Sequence, residues 1–351
     1  MFAPHPDDES LVCSIPLQRA ARAGATIRVV YVTDGDDNVW PQRFLERKWR
    51  LTEADRRAWA TKRRSEALNA LAVLGVSVEC ARFLGLADQQ LTTLLLHSPS
   101  SVAAKLAFHV ADVAPTHILM PALSDAHPDH SALGVLLRLA LSQTDFPRTR
   151  IWKYLVHGRS PAFFRRAQII SYSNAEMTKK RAAIACHRTQ LALSRTRFFR
   201  YAARPEKLLN DSIEATAEGS IRSALRQRDE LRLRWQMRLK PFGAVENRLL
   251  VVARDVAGFV RCFGVNCPFY WGRIRLCEQT EELALPCQYV GNPLYGELRF
   301  TTSALHDEFP IFVKHERRSL FFDEAGWLEI PGLDVKAKQV SPTTLSAAVS
   351  K

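Results

Sequence analysis

Residues 3–9 read Ala3-Pro4-His5-Pro6-Asp7-Asp8-Glu9, and the rest of the chain is best interpreted from this stretch outward. It places one imidazole and three carboxylates within five positions, and two prolines stiffen the backbone around them. A second cluster, His127-Pro128-Asp129-His130, follows much later in the chain. A metal-dependent hydrolase needs these residue types, because two or three side chains hold the ion and a free carboxylate takes a proton from water.

The spacing within the two clusters suggests a role for each side chain. His5 and Asp8, three residues apart across a turn that begins at a proline, can face one ion while Asp7 faces elsewhere. His130 then supplies the third ligand, and His127 is left for proton transfer. Two histidines and one carboxylate suit Zn²⁺ with open positions for water and substrate. They also suit Fe²⁺, so the ligands predict zinc with iron as the alternative.

The two clusters together resemble the LmbE-like, or GlcNAc-phosphatidylinositol deacetylase (PIG-L), family of zinc enzymes, which remove N-acetyl groups from amino sugars. Weaker similarities extend over about residues 1–210. They comprise Thr33-Asp34-Gly35, Arg63-x-x-Glu66, the run from Phe83 to Asp88, and the predicted helix that ends at Thr189-Gln190.

The resemblance implies hydrolysis of the acetamide of an N-acetylglucosamine-type sugar in a glycolipid, a glycoconjugate or a small glycoside. Asp7 is the expected general base, and His127 is expected to stabilise the oxyanion and to protonate the leaving amine. Asp129 is a candidate to orient the His127 ring and to stabilise its protonated form. The alternative reading is a solvated loop aspartate. Substrate contacts are expected from Arg63 and Asp88 by resemblance, with a surface helix charge as the alternative reading of Arg63.

Trp40 follows the second predicted strand closely and is a candidate to stack on a sugar ring. A packing role is the alternative for this side chain.

One departure from the family pattern concerns the start of the chain. Members of the family precede the first motif with an apolar strand, whereas only Met1 and Phe2 stand before Ala3 here. We therefore expect a truncated first strand and impaired activity of the chain as written. The alternative function is a catalytically impaired, metal-retaining glycan-binding protein. A non-haem iron oxygenase fits less well, because that class favours a jelly-roll barrel.

Helix-like and strand-like segments alternate up to about residue 175, which predicts a Rossmann-like, mostly parallel sheet with helices on both faces. Both clusters fall where strands are expected to end, and open α/β sheets gather their sites there. We predict a deacetylase-like domain over 1–212, a basic helical linker over 213–243 with its helix at 221–240, a β-rich, sandwich-like accessory domain over 244–335, and a disordered tail over 336–351.

The composition narrows the possible partners. The net charge of +13 is concentrated in residues 43–64 and 222–240, and basic surfaces attract phosphates. No nucleic-acid-binding motif is present, so an anionic glycolipid or a membrane surface is the better expectation. Seven scattered cysteines and the lack of a long apolar run indicate a cytoplasmic protein, peripheral at most to a membrane. The arginine-rich composition is typical of a bacterial genome of high GC content.

Overall fold

The structure is a computed structural model that describes residues 1–144, 148–158, 160–210, 219–236, 248–266, 272–278, 284–291, 295–316, 318–319 and 321–333. Strands and helices alternate up to residue 208, as the sequence predicts. The helices are α1 (Asp8–Val12), α2 (Ser14–Arg22), α3 (Val39–Glu46), α4 (Glu53–Leu74), α5 (Leu91–His97), α6 (Pro99–Ala111), α7 (Pro128–Leu141), α8 (Pro161–Arg166), α9 (Asn174–Cys186) and α10 (Arg188–Tyr201). The strands are β1 (Phe2–Ala3), β2 (Val29–Thr33), β3 (Ala81–Leu86), β4 (His117–Pro121), β5 (Arg150–Tyr154), β6 (Gln168–Ile169) and β7 (Lys207–Leu208).

Parallel strands form the centre of this part of the chain. β2 pairs in parallel with β1 and β3, and β4 pairs in parallel with β5. Because β1 also lies beside β4, the spatial order is β3-β2-β1-β4-β5, as in doubly wound folds. Successive residues of β2 face opposite layers: Val29 and Tyr31 pack with α2, α4 and α9, whereas Val30 and Val32 pack with α5, α6 and α7. The predicted Rossmann-like sheet with helices on both faces is confirmed.

The first strand is short but present. Phe2 and Ala3 pair with Val30 and Tyr31 of β2, and the amide of Val30 donates to the carbonyl of Met1 over 2.8 Å. A cavity of about 670 Å³ lies beside Met1, between the segments that lead into β2 and β4. The motif that begins at His5 therefore does follow a sheet strand, although this strand is much shorter than its neighbours.

The C-terminal part is an antiparallel β-structure, as predicted. Its strands are β8 (Ile221–Gln227), β9 (Glu230–Gln236), β10 (Arg248–Arg254), β11 (Val260–Asn266), β12 (Gly272–Glu278), β13 (Ala284–Gly291), β14 (Tyr295–Thr301), β15 (Ile311–Glu316), β16 (Arg318–Ser319), β17 (Phe322–Asp323) and β18 (Leu328–Ile330). Nine of them form one sheet in the order β18-β15-β10-β11-β12-β13-β14-β9-β8. Ile221 of one edge strand and Ile330 of the other belong to the same apolar cluster, so this sheet curls around its core like a barrel rather than forming two layers.

The helix predicted over residues 221–240 is wrong. Residues 221–227 and 230–236 form the antiparallel pair β8–β9, and residues 237–247 lie outside the described part. Leu231, Leu233 and Trp235 are buried and alternate with Arg232 and Arg234. This period of two is that of a half-buried strand. The helix prediction relied on the many arginines of this segment and not on the period of its apolar residues. The β-rich part thus begins before residue 244, and the predicted tail over 336–351 lies outside the described residues.

Helix α7 joins the two parts of the molecule. Twelve of its 14 residues are buried, because the parallel sheet covers one side and the curled sheet covers the other. Leu250, Phe312 and Trp327 of the curled sheet share an apolar cluster with Leu136 of α7. Arg138 of α7 forms an ion pair with Glu329, N–O 2.7 Å. The helix that begins at the second motif is therefore held from both sides.

A search of the described helices for one long and apolar enough to cross a membrane found none.

Candidate metal centre

The two sequence motifs meet at the carboxyl-terminal edge of the parallel sheet. His5 follows β1, and His127 and His130 lie at the start of α7, shortly after β4. Asp34 follows β2, and Asp88 follows β3. Parallel strands that end at one edge bring their following loops together, and this topology explains how residues more than a hundred positions apart form one cluster.

The three predicted metal ligands lie within contact of one another. Nδ1 of His5 lies 3.2 Å from Nε2 of His130. Oδ1 of Asp8 lies 3.5 Å from the same His130 nitrogen, and Oδ2 of Asp8 lies 3.9 Å from Nδ1 of His5. All three side chains are buried. Asp8 thus approaches each histidine through a different oxygen. Among the described residues, two groups have donor atoms that all lie within 4.8 Å of one another, namely His5 with His127 and His130, and His5 with Asp88 and Asp129. His5 and His130 are therefore brought together as a metal site needs, with His127 beside them.

The opposite nitrogens of both rings face carboxylates. Nε2 of His5 lies 3.1 Å from Oδ1 of Asp88, and Nδ1 of His130 lies 3.3 Å from Oδ2 of Asp125. Ligating histidines commonly donate their second ring N–H to a carboxylate, which fixes the tautomer and the ring orientation. His5 and His130 both show this arrangement, and it supports a metal between their inner nitrogens.

Asp125 is a functional candidate that the sequence analysis missed. Its carboxylate accepts the backbone N–H groups of His127, Val156 and His157 over 2.9, 2.9 and 3.1 Å. Burial is the largest single influence and raises the pKa of this carboxyl, but the charge and hydrogen bond of His130, the charge of His157 and the N–H of His127 together outweigh it and lower the pKa of Asp125 to about 2. The sequence could have indicated Asp125, because it lies in the loop between β4 and the second motif.

Asp7 lies beside the ligands and is held by an arginine. Nη2 of Arg63 donates to Oδ2 of Asp7 over 2.9 Å and to the carbonyl of Pro6 over 2.9 Å, while Nη1 donates to the carbonyl of Gly35 over 2.8 Å. Arg63 is buried in α4. This residue, predicted to contact the substrate, here fixes the predicted general base.

His127 occupies the N-cap of α7. Its Nδ1 accepts the backbone N–H of Asp129 over 3.2 Å, which leaves Nε2 for proton exchange. Its ring centroid lies 4.8 Å from that of His5 and 5.1 Å from that of His130. Burial, and then the charge of His5, hold the pKa of His127 well below its usual range.

Asp129 and Trp40, two further residues predicted for the site, differ in their position: Asp129 contacts His5, whereas Trp40 lies on the surface of α3. The Asp129 carboxylate accepts the backbone N–H groups of Gln89 and Leu91 over 2.7 and 3.1 Å, so it anchors the loop that carries Asp88. Oδ2 of Asp129 also lies 3.5 Å from Nε2 of His5. Trp40 is 49% exposed on α3 and packs against the guanidinium of Arg43.

Two further histidines support the site. His157 follows β5, and its ring centroid lies 4.9 Å from that of His130. Its position directly after a predicted strand was a usable signal. His187 is fully buried, and its Nε2 lies 3.0 Å from Oε1 of Glu9.

The other family-like residues tie the supporting helices together. Thr189 donates its backbone N–H to Oε1 of Glu66 over 2.9 Å, which links α10 to α4. Asn38 donates to the side-chain oxygen of Gln190 over 3.0 Å.

Comparison with protein families gives an independent assignment. Residues 1–141 match the family model PIG-L, described as GlcNAc-PI de-N-acetylase. Over these residues, called the PIG-L region below, the chain is similar to that family. The PIG-L region contains all the residues of the two motifs. The curled sheet lies beyond the matched residues.

Comparison with solved structures returns similar folds at low identity. A conserved protein of Thermus thermophilus is 23% identical and covers 61% of this chain and 94% of its own, with a TM-score of 0.45. The 4-carboxy-2-hydroxymuconate hydratase of Pseudomonas putida is 20% identical over 58% of this chain and 81% of its own, with a TM-score of 0.44. The N,N'-diacetylchitobiose deacetylase of Pyrococcus horikoshii is 19% identical over 59% and 80%, with a TM-score of 0.46. A search of curated protein sequences found no significant match.

Proposed function

We propose that this chain is a zinc-dependent N-deacetylase that hydrolyses the acetamide of an N-acetylglucosamine-type sugar in a glycolipid, a glycoconjugate or a small glycoside. The observation that carries the proposal is the group of inner donor atoms on His5, Asp8 and His130, with the carboxylate of Asp7, held by Arg63, next to it. The PIG-L match over residues 1–141 supports the same reaction.

His5, Asp8 and His130 would hold the ion, with Fe²⁺ as the alternative metal. A bound divalent ion polarises an amide carbonyl and lowers the pKa of water to about 7.

Asp7 and His127 are the proposed proton acceptor and proton donor. Asp7 accepts a proton from the attacking water, and Arg63 orients its carboxylate. Because Nδ1 of His127 accepts the Asp129 N–H, the neutral ring carries its proton on Nε2, which donates to the developing oxyanion. As Nε2 gives this proton to the leaving nitrogen, the proton that Asp7 took from water replaces it.

Binding to an anionic glycolipid or a membrane surface stays a prediction, and the structure supports it less than the sequence did. Six of the nine Lys and Arg residues in 43–64 form ion pairs with acidic side chains, namely Lys48, Arg56, Arg57, Lys62, Arg63 and Arg64. Paired charges contribute little to a surface potential. The second basic segment is a hairpin rather than the amphipathic helix that motivated the idea.

A glycan-binding protein with impaired catalysis is the second candidate. The ion pair between Asp7 and Arg63 favours it, because the guanidinium occupies Oδ2 of the proposed base.

The deciding experiment measures acetate and free amine released from N-acetylglucosamine, its glycosides and an N-acetylglucosamine-containing glycolipid by the zinc-loaded protein. We expect release that a chelator abolishes and added Zn²⁺ restores. Saturable sugar binding without release would favour the binding protein, and neither binding nor release would contradict both.

A further inference from the structure

The short antiparallel pair β16–β17 of the C-terminal part lies beside the candidate site. Phe322 of β17 lies with its ring centroid 5.2 Å from that of His157 and 5.9 Å from that of His127. Its side chain is only partly buried. An aromatic ring from outside the PIG-L region therefore packs beside the histidine proposed to transfer protons.

Phe322 is held in place by backbone and ionic contacts. The backbone N–H of Asp323 donates to the carbonyl of Ala126 over 2.8 Å, directly before His127. The Asp323 carboxylate forms an ion pair with Lys314, and both side chains are fully buried. A buried ion pair of this kind fixes geometry more than it adds stability, so the position of the ring relative to the motif is well defined.

A cavity of about 870 Å³ opens beside His157. Its lining includes His157, Arg197, Tyr201 and Phe322, so the parallel-sheet part and the β16–β17 pair both contribute. The volume falls in the range of about 300–1,000 Å³ that ligand pockets occupy. It has room for a sugar ring or an aglycone, and His157 links its lining to the candidate metal centre, because the His157 ring centroid lies 4.9 Å from that of His130.

Arg197 adds a polar edge to this cavity. Its Nη2 lies 3.0 Å from Nδ1 of His157, and its guanidinium lies 5.5 Å from the centroid of Phe322. The lining thus combines aromatic surface with a hydrogen-bond donor, a combination that suits the apolar face and the hydroxyl groups of a pyranose.

We propose that this cavity is the subsite for the ring attached to the N-acetylated sugar, and that Phe322 of the C-terminal β16–β17 pair is a specificity-determining residue. The inference rests on the proposed function and names its substrate class: N-acetylglucosamine glycosides with a ring-sized aglycone, in preference to free N-acetylglucosamine.

The test compares Phe322→Ala and Phe322→Tyr with Phe321→Ala as the matched control, since Phe321 is the preceding residue and is 51% exposed. Steady-state kinetics with free N-acetylglucosamine and with its p-nitrophenyl glycoside measure KM and kcat separately for each substrate. Loss of an aromatic contact of about 0.5–1.5 kcal/mol predicts a KM for the glycoside that rises roughly 2- to 12-fold in Phe322→Ala. We expect little change in the KM for the free sugar, near wild-type values in Phe322→Tyr, and no change in Phe321→Ala.

A binding measurement separates this proposal from the proposed function. Calorimetry with the p-nitrophenyl glycoside in an Asp7→Asn background needs no turnover, so a weaker Kd on adding Phe322→Ala supports the subsite even if no acetate is released. Equal Kd values with and without Phe322→Ala would overturn the subsite, as would an equal KM effect on both sugars. If Phe322→Ala does not fold, Phe322→Leu keeps the bulk without the ring and is judged by the same outcomes.

Discussion

Arg63 donates a hydrogen bond from Nη2 to Oδ2 of Asp7 over 2.9 Å, and both side chains are buried. The guanidinium is fixed in turn by two backbone carbonyls, of Pro6 and Gly35. Helix α4 thereby controls where the carboxylate next to the metal ligands points. An arginine that sequence similarity suggests for substrate binding has a positioning role in the structure.

The first prediction concerns Asp7 itself. Asp7→Asn keeps the size and an oxygen acceptor for Arg63, so we expect the fold and the bound metal to persist while hydrolysis falls about 10²–10⁴-fold, as for loss of a general base. Metal analysis and acetate release measure the two effects. Asp112→Asn is the matched control, because Asp112 also pairs with an arginine, Arg28, over 2.8 Å on the surface. Near wild-type turnover of metal-loaded Asp7→Asn would assign the base to another residue.

The second prediction tests the support of Arg63. Gly35 has φ +63°, and a Cβ there would lie 1.5 Å from Nη1 of Arg63. Gly35→Ala must therefore displace the guanidinium, and we expect activity to fall about 10–100-fold, as for other losses of supporting contacts. Gly75→Ala is the control, since Gly75 has φ +83° with no atom within 4 Å of the added Cβ. It carries the same backbone strain of about 1–2 kcal/mol. Similar activity losses in both variants would mean that backbone strain, not Arg63, is responsible.

The third prediction concerns the metal. We expect His5→Ala and His130→Ala to lose bound zinc in elemental analysis. Asp88→Asn and Asp125→Asn remove only the partners of the outer nitrogens, so zinc affinity should fall about 10–100-fold. His97→Ala, at an exposed position of α5, serves as the control. Full zinc content in both histidine variants would contradict the ligand assignment.

The fourth prediction is a pH dependence of stability. Glu176 forms hydrogen bonds with Arg19 and with the backbone N–H of Ser173 at the start of α9, and these contacts, Arg19 first, lower the pKa of Glu176 from 4.5 to about 2. A depressed carboxyl pKa stabilises the fold above about pH 4.5, and this stabilisation is lost as the pH falls toward 2.

Glu176→Gln should thus lower the free energy of unfolding at pH 7 by about 1–2 kcal/mol, a modest value because Arg19 is partly exposed. Urea unfolding at several pH values should show the deficit shrinking between pH 5 and 3. Glu79→Gln, on the exposed surface, should show no such trend. A deficit that is constant with pH would rule out the charge as its source.

The fifth prediction uses the cavity of about 670 Å³ beside Met1. The segments that lead into β2 and β4 line it, and β1 between them covers only two residues. About five apolar, β-branched residues joined in front of Met1 match a typical strand length and should raise Tm by at least about 2 °C, because each buried aliphatic side chain contributes about 1.5–3 kcal/mol. A Gly-Ser extension of the same length is the control, and equal Tm values for the two would refute strand formation in the cavity.

The sequence by itself determined the chemistry of the site and the class of the fold. The motif from His5 to Asp8 and the pair His127 and His130 specify ligand types that few other functions need together. The alternation of apolar strands with helices specifies a parallel sheet, and its strand ends predict where the motifs meet. These signals are local: each depends on residue type and on spacing within about ten positions, and the sequence displays both directly.

Only the tertiary structure decided what surrounds those residues. That Arg63 holds Asp7, that Asp125 backs His130 and that Phe322 reaches the histidines depends on how helices and sheets pack together, and no periodicity encodes such contacts. The hairpin of β8 and β9 shows the same limit. Its many arginines suggest a basic helix when the segment is considered alone. Pairing with β14 places Leu231, Leu233 and Trp235 in the apolar core of the curled sheet. Burial against a distant partner, rather than local propensity, selected the strand.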